Sequence, residues 1–169
     1  MAADSLFLAL WEDFKASLEA MGQENGYHLD YGPVEEDADI TWESAKDARV
    51  PPISMMYAGD AEQDPIYGGE MATQRFRRFS GIVVSVPILD PEGQHSRRQM
   101  QVQADLHKAL MATTAAQVTA NGGDRGRGSG GRASTFEART AYQGNQDGGV
   151  LQVTYYVRWD HVSGDMSSQ

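Results

Sequence analysis

The side chains that could perform catalysis or bind a metal are few and widely separated in this sequence. The chain has four histidines and no cysteine. No two histidines have the three- or four-residue spacing of a helical metal site. No serine lies in a Gly-x-Ser-x-Gly elbow, and no lysine lies in a phosphate-binding loop. We therefore expect no catalytic residue, no cofactor and no metal site, and we expect four surface or boundary histidines: His28, His95, His107 and His161.

A glycine- and arginine-rich segment, Asn121 to Arg132, has the most unusual composition in the chain. Three of its glycines have the Gly-x-Gly-x-x-Gly spacing of a dinucleotide-binding loop, but that loop needs a strand before it and a helix after it. Here a helical pattern precedes the segment and an extended run follows, which excludes nucleotide binding. One alternative is a flexible surface loop. The other is a basic site that lines a lumen or contacts a partner through Arg125, Arg127 and Arg132.

The segment from Gln23 to Val50 is acidic and irregular. Its clustered carboxylates could bind calcium or magnesium, but the alternating ligands and the sixth-position glycine of an EF-hand are missing. We expect a long solvated acidic loop, with short extended pieces at residues 27–31 and 40–42. The cluster consists of Glu35, Glu36, Asp37 and Asp39.

Length, composition and charge limit the class of protein. The 169 residues predict a single domain, 1–169, and 40% hydrophobic with 22% charged residues is typical of a globular protein. No apolar run approaches the roughly 20 residues that span a bilayer, so we expect no membrane association. The first residues lack the pattern of a signal peptide, so we expect the chain to stay in the cytoplasm. The net charge of −10 argues against a protein that wraps DNA.

The longest strand pattern, Arg75 to Leu89, organises the predicted fold. Apolar residues occupy every second position and should face the core: Ile82, Val84, Val86 and Ile88. The alternate positions are mixed in character, so we expect the other face of the sheet to meet solvent or a partner.

Helical and extended patterns place the remaining elements around this strand. Apolar residues recur at helical spacing from Leu6 to Met21, and again within residues 94–113 at Val102, Leu106, Ala109 and Leu110. A short strand is expected at residues 53–58, after two prolines. Residues 135–142 and 150–159 predict a hairpin, and the apolar residues of its second strand should point inward: Leu151, Val153, Tyr155, Val157 and Trp159. Together these elements predict an α+β fold with a mixed or antiparallel sheet of about four main strands and two helices packed on one face. A loose tail is expected at residues 161–169.

This order of elements resembles that of the tail terminator proteins of long-tailed bacteriophages, the family of the lambda minor tail protein U. The resemblance is one of layout and covers most of the chain, while the acidic segment and the glycine- and arginine-rich segment depart from it. It is carried by residues 11–21, 51–59, 76–89 and 102–111 and by the closing tyrosine-rich strand.

The resemblance implies a structural virion protein and no enzymatic activity. Members of that family form a hexameric ring that stops growth of the tail tube and faces the head connector. Expected partners are therefore other copies of this chain, the tail tube protein, the connector or neck proteins, and DNA passing through the lumen. The expected location is the tail or neck of the virion, after assembly in the host cytoplasm. Two alternatives remain: another neck or tail-completion subunit, and a cytosolic α+β domain that binds a small ligand or acts as an enzyme.

Overall fold

The described part of the chain forms a mixed sheet and a layer of helices. The computed structural model describes residues 3–66, 75–90, 92–120, 133–144 and 148–162. The helices in this part of the chain are α1 (Ala3–Glu19), α2 (Trp42–Ala45) and α3 (His95–Ala120), with a 3₁₀ turn at Gln23–Asn25. The strands are β1 (Val34–Glu36), β2 (Ile53–Ile66), β3 (Arg75–Pro87), β4 (Ala133–Gly144) and β5 (Gly149–Val162).

The five strands lie in the order β1-β2-β3-β5-β4. Strand β1 runs parallel to β2, whereas the other neighbouring pairs are antiparallel. The predicted α+β fold with a mixed sheet is therefore confirmed, with five strands instead of about four. The additional strand is β1, whose three residues are too few to show a strand period in the sequence.

The face of β3 that was predicted to be core is fully buried. Its residues Ile82, Val84 and Val86 are each 0% exposed, and they pair across to three inward residues of β5. This confirms the predicted register of both strands. The partners are Tyr155, Val153 and Leu151, in that order.

Helices α1 and α3 both pack on this face of the sheet, as predicted. The apolar stripe of α1 and the stripe of α3 belong to the same buried cluster as the inward residues of the sheet. Phe14 meets Tyr155 edge-on, with 5.8 Å between ring centroids. The hydroxyl of Thr113 donates to the hydroxyl of Ser17 at 2.8 Å and joins the two helices. Helix α3 extends seven residues beyond the predicted end at Thr113, to Ala120.

The acidic segment crosses one end of the opposite sheet face. The buried Ser54 of β2 donates a hydrogen bond to the carbonyl of Ala38 at 2.6 Å. Farther along, the ring of Trp42 lies against Gly148, where an added Cβ would overlap the indole. The extended pieces expected at residues 27–31 and 40–42 are wrong, because the strand of this segment is Val34–Glu36 and Trp42 begins α2. Backbone pairing to β2, and not an apolar run, decides where the strand forms.

Strands β2 and β5 extend well beyond their predicted ends. Strand β2 continues past the expected end at residue 58 to Ile66, because its polar second half pairs with the first half of β3. Strand β5 runs to Val162, into the segment expected to be a loose tail, and residues 163–169 lie outside the described residues.

Candidate assembly surfaces

The arginines predicted to contact a lumen or partner lie outside the described residues. Arg125, Arg127 and Arg132 fall between the end of α3 at Ala120 and the start of β4 at Ala133. Because β4 is the last strand in the sheet order, this connection joins the helix layer to one edge of the sheet.

The described residues contain no cluster of three or more His, Cys, Asp or Glu side chains that could hold a metal ion. His107 is exposed on α3. His95 and Glu92 have a Glu-x-x-His spacing, but Glu92 is exposed in the turn before α3, and His95 Nδ1 lies 3.6 Å from the Asp90 carboxylate. These ranges also include no helix with both the length and the apolar character needed to cross a membrane.

A buried carboxylate on α3 fixes the segment that follows the 3₁₀ turn. Asp105 is 1% exposed and accepts hydrogen bonds from the backbone N–H groups of His28, at 2.9 Å, and Leu29, at 3.3 Å. It also accepts from the Tyr31 hydroxyl at 2.9 Å and lies 2.7 Å from His28 Nδ1. Four donor groups thus compensate the burial of one charge.

The carboxylate of Asp105 also affects the pKa of two nearby tyrosines. Burial, reinforced by the charge of Asp105 and its hydrogen bond, raises the pKa of Tyr31 far above its ordinary value. Burial and the same charge raise the pKa of Tyr27. One turn along α3, Lys108 donates to the carbonyl of Gly26 at 2.8 Å and lies 4.4 Å from the Tyr27 ring centroid. Segment and helix therefore form one structural unit.

An exposed ion pair joins β1 to α1. Lys15 Nζ lies 2.6 Å from a carboxylate oxygen of Glu36. This hydrogen bond raises the pKa of Lys15 and lowers the pKa of Glu36. Part of the predicted acidic cluster therefore helps to hold the edge strand against α1.

The outer side of α3 carries exposed apolar residues. Met100 is 63% exposed and Met111 is 53% exposed. Eleven residues are just over three helical turns, so both side chains lie on one stripe, on the side of the helix away from buried Val102. We call this stripe the α3 surface, and it consists of Met100, Ala104, His107 and Met111, all exposed.

Strand β2 carries a second group of exposed apolar residues. Met56 is 39% exposed and Tyr57 is 47% exposed. Met56 points to the sheet face opposite the helices, because its neighbour Met55 is in the core. Tyr57 pairs with buried Ile82 and points to the face of the helices, so we call Met56 and Ala58, both exposed, the β2 surface. It lies on a different side of the molecule from the α3 surface.

Known protein families assign no function to this chain: no family model matches it, and no curated protein is detectably similar to it. A function must therefore be inferred from these surfaces together with the order of elements.

The α3 surface could have been found in the sequence, since Met100 and Met111 lie about 160–180° around the helix from Val102. Asp105 could also have been found there, because it is a charged residue inside the apolar stripe between Val102 and Leu106.

Proposed function

We propose that this chain is the subunit of a ring that caps the tail tube of a long-tailed bacteriophage and joins it to the head connector. The observation that carries this proposal is the pair of separate exposed apolar surfaces, on α3 and on β2. A ring formed by head-to-tail contacts requires two different complementary surfaces on each subunit. Exposed apolar groups placed together are also typical of protein contacts.

The order of elements supports the same proposal. The amphipathic helix, the strand after two prolines, the long strand, the second helix and the closing hairpin occur in the order on which the resemblance to tail terminators depends. We propose six subunits per ring, by that resemblance. The tail tube protein and the connector or neck proteins would contact the two rims, and DNA would pass through the lumen. The protein would be located in the virion, after assembly in the host cytoplasm.

Mutations in the two surfaces test this proposal. Wild-type protein should form closed rings in electron microscopy and by light scattering, more readily as salt screens the repulsion between subunits of charge −10. Met100→Glu with Met111→Glu should give monomers, and so should Met56→Glu with Ala58→Glu, because each places carboxylates in the subunit contact. All four side chains are exposed, so stability should change by only about 0.5 kcal/mol per substitution.

Mixing the two double variants distinguishes a head-to-tail contact from a symmetric one. Each variant retains one intact surface, so an equimolar mixture should form dimers and no rings. Leu8→Glu is the matched control, since Leu8 is 57% exposed on α1 and belongs to neither surface. Its rings should be normal. A wild-type chain that stays monomeric at high concentration and in moderate salt contradicts the ring, and favours the alternative of a small-ligand-binding domain.

The three arginines between α3 and β4 should be needed for assembly of infectious phage, and not for folding or ring formation. In the proposed ring, the equivalent segments of all subunits would place Arg125, Arg127 and Arg132 around the lumen or one rim, where they attract DNA or an acidic tube surface. Changing all three to serine should leave folding and rings intact but reduce the yield of infectious phage in a complementation assay. The triple lysine variant, which retains the charge, should restore most of it. Normal infectivity of the serine variant would show that the segment is only a connector.

A further inference from the structure

A polar cleft lies between the start of α3 and the segment after the 3₁₀ turn. Its volume is about 320 Å³, which is at the lower end of the range for small-molecule sites. The lining is almost entirely polar, and it contains both charged and amide groups. The residues that matter here are Gln23, His28, Glu92, Arg97, Arg98 and Gln101.

The two arginines of the cleft have no acidic partner among the described residues. In the described part of the chain, the ion pairs with an N···O distance within 4.0 Å involve other side chains. Neither Arg97 nor Arg98 takes part in one. This is unexpected in a chain with 24 acidic and 14 basic residues. Glu92 lines the same cleft but does not pair with either arginine. The guanidinium groups of Arg97 and Arg98 therefore remain available to a ligand.

Hydrogen bonds hold in place the wall of the cleft that the segment after the 3₁₀ turn forms. Asp105 lies 2.7 Å from Nδ1 of His28, so the ring is oriented with Nε2 directed away from that carboxylate. The His28 side chain is 53% exposed, whereas that of Asp105 is 1% exposed. Gln23 fixes the same wall by donating its side-chain N–H to the His28 carbonyl at 3.0 Å and its backbone N–H to Asp30 at 2.9 Å. A buried carboxylate thus presents an imidazole at the cleft.

We propose that this cleft binds a small oxyanion, a phosphate or carboxylate group, between the two guanidinium groups and the His28 ring. Arginine donates paired N–H groups to the oxygen atoms of such anions, and His28 Nε2 adds a further donor when the ring carries both protons, because Nδ1 already donates to Asp105. The amides of Gln23 and Gln101 supply neutral donors at the rim. The lining of this cleft includes no residue of the α3 or β2 surface, so its test does not depend on ring formation.

Titration with inorganic phosphate, and separately with citrate, tests the site. At constant ionic strength, wild-type backbone amides around residues 23–29 and 97–101 should shift in NMR spectra and saturate with a single dissociation constant. Arg97→Gln with Arg98→Gln should weaken binding at least about tenfold, because two charge-assisted hydrogen-bonding groups are lost. Glu92→Gln should tighten it a few-fold, about the effect of removing one partly screened like charge.

Arg49→Gln is the matched control, because Arg49 lines only the neighbouring cleft of about 240 Å³. It removes the same charge and should leave the dissociation constant unchanged. An equal loss in this variant and in the double variant would mean general attraction to positive charge and would overturn the site. Shifts that never saturate in the wild type would overturn it too. A response to phosphate alone or to citrate alone identifies the kind of oxyanion, and both measurements are valid whether or not the protein forms rings.

Discussion

Replacing Val84 with aspartate should leave the protein unfolded. Val84 is 0% exposed, in the central strand β3, between Met55 of β2 and Val153 of β5. The side chains that flank the new carboxylate across the sheet, Met55 and Val153, offer it no donor. Burying an unpaired carboxylate costs several kcal/mol, against a total stability of about 5–15 kcal/mol for a typical domain. Circular dichroism and urea unfolding should show loss of the cooperative transition, or a midpoint at much lower urea.

The neighbouring substitution Val83→Asp is the control. Val83 lies on the opposite face of the same strand, is only partly buried, and pairs with Met56 and Thr154. Its carboxylate can reach water, so the loss in stability should be about 1–2 kcal/mol. Equal effects at the two positions would mean that the inward and outward faces of β3 have been assigned incorrectly.

Replacing Asp105 with asparagine should cost about 2–4 kcal/mol. The amide has nearly the same shape, but one acceptor oxygen becomes an NH₂ group directed at the donors of His28, Leu29 and Tyr31. Buried donors without an acceptor cost about 1–3 kcal/mol each, and a charge-assisted hydrogen bond is also weakened. Urea unfolding measures the loss. Faster amide hydrogen exchange at His28 and Leu29 should show that this segment detaches from α3. Unchanged exchange there would contradict the anchoring role of Asp105.

Tyr31→Phe is the milder companion substitution and should cost about 1 kcal/mol, since one hydrogen bond is lost. It also tests a pH effect. Burial, then the charge and hydrogen bond of Asp105, raise the pKa of Tyr31 above its ordinary value of 10.0, so the folded protein keeps a proton that the unfolded chain releases. Stability should therefore fall as the pH rises above about 10. The phenylalanine variant should show a shallower fall, and identical slopes would contradict this explanation.

The sequence alone determined the central layers of this protein. Alternating apolar residues assigned the inward face of β3, including Val84, and the inward face of β5. Helical spacing assigned the buried stripe of α3. These features could be predicted because each depends on a period within one segment, and the burial of apolar area is the largest favourable contribution to folding. The fold class follows from the same patterns.

Tertiary structure alone decided the features that involve distant or short segments. Strand β1 forms because Val34 comes beside Ile53, and three residues carry no period of their own. The main partners of Asp105 are backbone N–H groups 76 and 77 residues away, and every residue except proline has such a group, so no residue type marks them. Chain packing likewise decides that no acidic side chain of the described residues lies within ion-pair distance of Arg97 or Arg98. Local patterns show which side of a segment is buried, whereas only chain packing determines which distant groups meet there.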